Sequence, residues 1–103
     1  MIRILIKKKH DKIIEIQILG HAMYADYGKD IVCAGASSIF ITTVNAILKF
    51  SKEAISVDMK KDKVCLKKLE ENEIVDKLLE NMTELFQELS VTYPKNITIR
   101  EDV

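Results

Sequence analysis

The chain has little of several residue types that mark particular protein classes. It contains no tryptophan, one proline, three glycines and two cysteines in 103 residues. Two cysteines exclude a disulfide-rich scaffold and indicate a reducing compartment, in which Cys33 and Cys65 are not expected to pair. Lysine plus arginine and aspartate plus glutamate each number 16. A nucleic-acid-binding domain normally carries a basic surplus, so we expect no direct nucleic-acid partner.

Targeting and membrane-spanning segments are also missing from the sequence pattern. Residues 4–6 are apolar, but they are too few for the core of a secretory signal and are followed by lysines. No apolar run approaches the ~20 residues of a membrane span. The length suits one domain over residues 1–103, and a 48% share of apolar residues can supply one modest core. We therefore expect a single soluble cytoplasmic domain without a membrane partner.

The remaining sequence is mostly periodic. Residues 2–7 and 14–18 alternate apolar and polar side chains, which predicts two half-buried strands joined as a hairpin. In the second segment Ile14, Ile16 and Ile18 are expected to face the core. From Cys33 to about residue 52, apolar residues recur every three or four positions. The β-branched residues within this run also fit a strand, but its length favours a helix.

The second half of the chain repeats this arrangement. A second hairpin is predicted around residues 55–69, and an amphipathic helix over residues 74–89. A short strand over residues 97–99 follows Pro94. The order ββαββαβ predicts an α+β fold, a two-layer sandwich in which two helices pack on a mixed or antiparallel sheet of about five strands.

One window departs from both periodicities. The three glycines, Gly20, Gly28 and Gly35, fall within sixteen residues that also hold His21 and Cys33. Glycine serves where the backbone needs positive φ or a close approach, so we interpret all three as conformational. Local departures from a fold's pattern are typical of functional sites.

The chemistry of this window suits a cysteine nucleophile. His21 follows the end of a strand, and Cys33 lies at the start of a helix, where unpaired N–H groups favour a thiolate. A neighbouring imidazole accepts the thiol proton, and helix-start N–H groups near Ala34 and Gly35 would stabilise an oxyanion. From spacing alone, a buried Cys33 that only fills space is an equally good interpretation.

The window resembles the signature of the ribosomal-processing cysteine protease family, Gly-His-Ala-x-Tyr-Ala-x-x-Gly-x-Asp-Ile-Val-Cys-Ala. Every fixed position of that pattern is filled: Gly20, His21, Ala22, Tyr24, Ala25, Gly28, Asp30, Ile31, Val32, Cys33 and Ala34. The resemblance extends over the whole chain in length and element order. After Gly35, however, Ala36, Ser38 and Phe40 are atypical of the family, which places pocket shape and sequence preference in question.

The resemblance implies a function and several partners. It implies a cytoplasmic bacterial endopeptidase, a homodimer, that removes an N-terminal extension from the large-subunit ribosomal protein numbered twenty-seven. Cys33 would be the nucleophile and His21 the general base. The supporting or substrate-binding residues would be Asp30, Ser37, Gly20, Gly28, Gly35 and Tyr24. No metal or cofactor is expected, since the histidines and cysteines lack ligand spacing.

Other interpretations stay open for some of these residues. Asp30 suits a helix cap as well as a catalytic support, and Tyr24 suits packing as well as substrate contact. Cys65 is expected to be inert core. For the whole chain, the alternative function is a non-catalytic ribosome-associated module that binds the same peptide. A thiol-exchange protein is disfavoured because Cys33 has no CxxC partner.

Overall fold

The computed structural model of the chain describes residues 1–20 and 31–102, and it contains the predicted elements in the predicted order. These elements are β1 (Ile2–Lys9), β2 (Lys12–Leu19), α1 (Ile31–Phe50), β3 (Ile55–Met59), β4 (Lys63–Lys68), α2 (Glu73–Thr92) and β5 (Ile97–Asp102). The predicted α+β fold with order ββαββαβ is therefore confirmed.

The five strands form one mixed sheet in the order β3-β4-β2-β1-β5. β1 pairs antiparallel with β2 and parallel with β5, whereas β4 joins β2 and β3 by antiparallel pairing. The N-terminal strand consequently lies inside the sheet, next to the strand that is last in the chain. A parallel neighbour needs a crossover connection, which here contains both helices.

The first hairpin closes through a tight turn and contains a bulge. His10 and Asp11 connect β1 to β2 with φ values of 53° and 63°, the left-handed pair typical of a two-residue hairpin turn. Lys7 pairs with Glu15 and Lys8 with Ile13, so Ile14 is the extra residue. The expectation that Ile14 faces the core is therefore wrong. The bulge shifts the alternation by one residue and buries Ile13 instead.

The core lies between one face of the sheet and the two helices. Helix α2 contacts α1, β5 and β2. The large side chains that are fully buried come from both layers, and they are Phe40, Phe86, Ile4, Ile6, Ile16, Ile18, Ile47, Leu66, Leu79, Met82 and Ile97. Because the strands bury every second residue, the other face of the sheet carries their polar side chains.

Helix α1 has the predicted length of 20 residues but begins and ends two residues earlier than the sequence pattern suggested. By length and composition alone it is able to cross a membrane. The expectation that no apolar segment approaches this length is thus wrong. Its core-facing residues include Val32, Ala36, Phe40 and Ile47, and the helix packs against α2. Core helices of water-soluble proteins meet the same length and composition criteria.

Helix α2 is fixed at its start by polar contacts. Asn72 caps it, because its side-chain oxygen accepts hydrogen bonds from the N–H groups of Ile74 at 2.9 Å and Val75 at 3.3 Å. In the first turn Asp76 accepts a 2.8 Å hydrogen bond from the ammonium of Lys68, whose side chain is 3% exposed. This buried ion pair ties β4 to α2.

Candidate functional site

The described residues contain half of the predicted site. Cys33, Ser37, Gly20 and Gly35 are described, and all lie at the end of β2 or in the first two turns of α1. The other four predicted residues lie outside the described ranges, and their roles stay predictions: His21, Tyr24, Gly28 and Asp30.

Cys33 is the third residue of α1, as the sequence predicted for a nucleophile at a helix start. It is half-buried and packs against the hydrophobic core. The N-terminus of a helix carries partial positive charge, and the first turn of α1 holds no acidic residue to oppose it. This position therefore suits a sulfur that acquires negative charge during a reaction.

The helix boundary refines the predicted oxyanion donors. We predicted N–H groups near Ala34 and Gly35, but α1 begins at Ile31. In a regular α-helix the N–H of Gly35 donates to the carbonyl of Ile31, four residues earlier. The N–H of Gly35 is therefore a poor candidate to meet an oxyanion, whereas the partial positive charge at the N-terminus of α1 favours negative charge nearby.

Gly20 directly follows β2 and has a conformation that suits glycine. Its φ is +75°, and a Cβ built there would lie 2.5 Å from the carbonyl oxygen of Met1. Its N–H donates a 3.1 Å hydrogen bond to the carbonyl of Asp62 in the neighbouring hairpin. The predicted conformational role of Gly20 is confirmed, and this residue fixes the point at which the chain leaves the sheet immediately before His21.

Gly35 has no comparable constraint. It lies within α1 with a helical backbone, and a Cβ there would lie 3.6 Å and 3.7 Å from the two terminal methyl carbons of Leu89. These are ordinary van der Waals separations. The conformational role that we expected for Gly35 is therefore not required by its backbone, and the residue instead marks where α1 rests on α2.

Ser37 lies one turn beyond Cys33 and is 6% exposed. Residues four apart lie on the same helix face, so the predicted proximity of the two side chains follows from the observed helix. Ser37 also lines a shallow groove of about 340 Å³ on the open side of α1, together with Ala34, Ser38, Ile41 and Thr42. Sequence reasoning missed Ile41 and Thr42. The signal that could have found them is the lack of charge along α1, where Lys49 is the one charged residue.

Cys65 belongs to a different part of the molecule. It is half-buried in β4, between Val64 and Leu66, which face the core and are both fully buried. Since neighbouring strand residues point to opposite faces, Cys65 lies on the sheet face away from the helices. The expectation that it is core is wrong, and the sheet separates its side chain from the helix layer that holds Cys33.

Comparison with protein families gives one match across nearly the whole chain. The family model described as "Cysteine protease Prp" matches residues 1–98. The ribosomal processing cysteine protease Prp of Bacillus subtilis (strain 168) is 41% identical over 49 residues, which are 47% of this chain and 44% of that protein. Its counterpart from Staphylococcus aureus (strain Mu50) is 45% identical over 42 residues, or 41% and 40% of the two chains. These alignments span less than half of each curated relative.

Solved structures resemble the chain over its full length. The essential ribosomal processing protease Prp from S. aureus, with a covalently linked product peptide, superposes with a TM-score of 0.89 at 27% identity. The same protein with a substrate peptide gives a TM-score of 0.87 at 26% identity. Both comparisons cover 99% of this chain and 100% of the other.

Proposed function

The chain belongs to the cysteine protease Prp family, and from this membership we propose that it is a cysteine endopeptidase with Cys33 as nucleophile and His21 as general base. The observation that carries the proposal is the place of Cys33 in the first turn of α1, beside an open groove. Strand β2 ends at Leu19, and Gly20 connects it directly to His21. The similar S. aureus structures hold a substrate peptide and a covalently linked product peptide, which supports the same class of reaction here.

The reaction would proceed through a thioester. His21 accepts the thiol proton, and the Cys33 sulfur attacks the carbonyl carbon of the scissile peptide bond. The oxyanion that forms would be stabilised by the partial positive charge at the N-terminus of α1. His21 then gives the proton to the leaving amine as the C–N bond breaks. Water, deprotonated by His21, attacks the thioester, releases the acid product and restores the thiol.

The supporting residues have distinct proposed roles. Ser37 lies on the same face of α1 as Cys33, and its hydroxyl would contact the peptide. Asp30 would orient His21 or cap α1, and Tyr24 would contact the substrate. Gly20 sets the exit from β2, and Gly28 and Gly35 complete the set that the family resemblance implies.

For the substrate we propose the N-terminal extension of the large-subunit ribosomal protein numbered twenty-seven. Support comes from the relatives, which are named ribosomal processing proteases, and from the complete signature around His21 and Cys33. The same resemblance supports a cytoplasmic location and a homodimer. Light scattering on purified protein tests the dimer, which requires twice the 11.8 kDa mass of the chain. A mass of one chain at micromolar concentration would contradict it.

The decisive experiment is cleavage of the host's ribosomal precursor, monitored by intact mass. Wild type, Cys33→Ala and His21→Ala are compared, with circular dichroism as the control for folding. One N-terminal cut made by the wild type alone supports the peptidase and the proposed dyad. An uncut precursor that still binds folded wild type and Cys33→Ala would favour the alternative, a peptide-binding module without catalysis.

A further inference from the structure

The balanced charge of the chain conceals a separation of charge between its two layers. The five strands carry nine basic and four acidic residues, whereas the two helices carry two basic and five acidic residues. The expectation that no nucleic acid binds rests on the balance of the whole chain. Since a partner meets one face at a time, the distribution of charge over each face decides what can bind there.

The basic residues of the strands divide into two groups, and the first group has partners on the helix face of the sheet. Lys12 and Lys68 reach the carboxylate of Asp76 in α2, at 3.7 Å and 2.8 Å. Lys8 pairs with Glu101 of β5 at 3.4 Å. These ammonium groups are matched by nearby carboxylates, so they leave little positive potential for a partner.

The second group lies on the outer face of the sheet, which points away from the helices. Strand alternation places these side chains there, because each lies next to a residue that faces the core. All four are exposed, and none forms an ion pair within the described part of the chain: Arg3, Lys63, Lys67 and Arg100.

The outer face also carries carboxylates, but most of them are already paired. Glu15 accepts the ammonium of Lys7 at 3.4 Å, and Asp58 lies 4.0 Å from that of Lys60. Among residues 1–20 and 31–102, Asp102 is the one carboxylate of this face without an ion pair. The face therefore has an excess of unpaired positive charge.

The strand register spreads this charge across the width of the sheet. Arg3 and Lys63 flank Leu19 from the two neighbouring strands, which places their Cα atoms about 10 Å apart. Arg100 lies one strand beyond Arg3 and two residues along, at about 8 Å, and Lys67 lies about 13 Å along β4 from Lys63. The long side chains can thus meet several charges of an extended polyanion at once.

We propose that the outer face of the sheet binds the phosphate backbone of RNA. The five described strands contain no aromatic residue on which a base could stack, so recognition is electrostatic and independent of sequence. RNA is favoured among polyanions because the relatives are named ribosomal processing proteases. This choice of polyanion rests on the proposed function, whereas the positive charge of the face does not.

The outer face borders the proposed catalytic site. Arg3 and Lys63 lie level with Leu19, which is followed directly by Gly20 and His21. RNA bound across this end of the sheet would hold a precursor protein attached to it close to the dyad. The face would therefore favour cleavage of a precursor that is already bound to RNA.

The test compares two variants that change the net charge equally. The outer-face variant replaces Arg3, Lys63, Lys67 and Arg100 with glutamine. The matched control replaces four exposed lysines outside the strands with glutamine, namely Lys49, Lys52, Lys77 and Lys95. Fluorescence anisotropy measures binding to a labelled RNA duplex of about 20 base pairs and arbitrary sequence. Circular dichroism controls for folding.

For the wild type, four phosphate contacts predict that affinity falls about 100-fold between about 50 and 200 mM salt. At the lower salt concentration, the outer-face variant should bind at least about tenfold more weakly, and the control should stay within about twofold of wild type. The single variants Lys63→Gln and Arg100→Gln should each reduce the salt slope by about one, so the test does not depend on the folding of the fourfold variant.

Several results would overturn the inference. These are equal weakening by both fourfold variants, full binding by the outer-face variant, or no RNA binding by the wild type at low salt. Binding to phosphatidylserine vesicles without RNA binding would also overturn it and identify a membrane surface instead. Cleavage of a short peptide without RNA, measured in parallel, should be unchanged in the outer-face variant. RNA binding with no cleavage by any variant would support this inference and contradict the proposed function.

Discussion

At the scale of single residues, Gly20 and Gly35 differ in what an added side chain would meet. Gly20 has φ +75° and faces the backbone carbonyl of Met1, which cannot move without disturbing β1. Gly35 faces the flexible end of Leu89 across ordinary contact distances. Substitution by alanine should therefore change the free energy of unfolding in opposite directions at the two positions.

We predict that Gly20→Ala lowers the free energy of unfolding by about 1–3 kcal/mol, because a left-handed backbone penalises a Cβ. Gly35→Ala should raise it by about 1 kcal/mol, since glycine is a poor helix former. Urea unfolding at constant m-value measures both changes. The same sign for the two variants would contradict the described contacts.

Glu15 makes stability depend on acid pH. Burial alone would raise the pKa of this carboxyl. The hydrogen bond from Gln17 at 2.6 Å and the charges of Lys7 and Lys67 more than offset burial, so its pKa lies below the ordinary value of 4.5. A depressed pKa in the folded protein means that the carboxylate contributes stability above pH 4.5, which is lost as the pH falls through the folded value.

We therefore predict that Glu15→Gln has a lower Tm than wild type at pH 7, and that this difference narrows as the pH falls from about 4.5 towards 3. Thermal unfolding across this pH range measures the difference. Glu53→Gln, at an exposed position, controls for the loss of a surface charge. A difference for Glu15→Gln that stays constant down to pH 3 would refute the prediction.

At the scale of elements, most boundaries followed from the sequence. Helix α1 contains β-branched residues that suit a strand, but the length of its apolar run correctly predicted a helix. The strand pattern gave a wrong prediction at Ile14. A bulge depends on the pairing between two strands, so it cannot be predicted from the alternation within one strand. Of the site, the sequence indicated Cys33 at the start of α1. It did not reveal the groove, whose shape depends on how α1 packs.

The ion pair between β4 and α2 was likewise not predictable from the sequence. Lysine is rarely buried, yet the Lys68 side chain is 3% exposed and lies 2.8 Å from Asp76 and 3.5 Å from Glu71. The two carboxylates differ in environment, because the side chain of Asp76 is 13% exposed and that of Glu71 is 76% exposed. Only the loss of Asp76 would leave the ammonium without a buried partner.

We predict that Asp76→Ala lowers the free energy of unfolding by about 3–5 kcal/mol. Glu71→Ala, which removes an exposed carboxylate near the same ammonium, should cost less than about 1 kcal/mol. Chemical denaturation of both variants provides the measurement. Equal losses of unfolding free energy would show that burial does not distinguish the Lys68–Asp76 pair from the Lys68–Glu71 pair.

At the scale of the whole molecule, the sheet order was not predictable from local patterns. Alternation identifies strands, but it does not specify that β1 lies between β2 and β5. The six-residue parallel pairing of β1 with β5 joins the two ends of the described chain. Ile97 of β5 is 1% exposed, so this strand also completes the core under α2.

We predict that deletion of residues 97–103 abolishes cooperative unfolding at 25 °C, since a small domain has only about 5–15 kcal/mol of stability and would lose one sheet neighbour of β1. Circular dichroism during thermal unfolding measures this loss. Glu101→Gln, which removes only an ion pair with Lys8 at 3.4 Å, is the control and should remain folded. A cooperative transition in the truncated chain would contradict the prediction.

The pairing of β1 with β5 also orders events during synthesis. The ribosome makes β1 first and β5 last, and parallel pairing over such a separation forms slowly because a long loop must close. Until the last strand emerges, one edge of β1 has no neighbour and the core under α2 is incomplete. A nascent chain thus carries Cys33 before the sheet beneath it is finished, so the complete fold, and any activity that depends on it, must await the synthesis of β5.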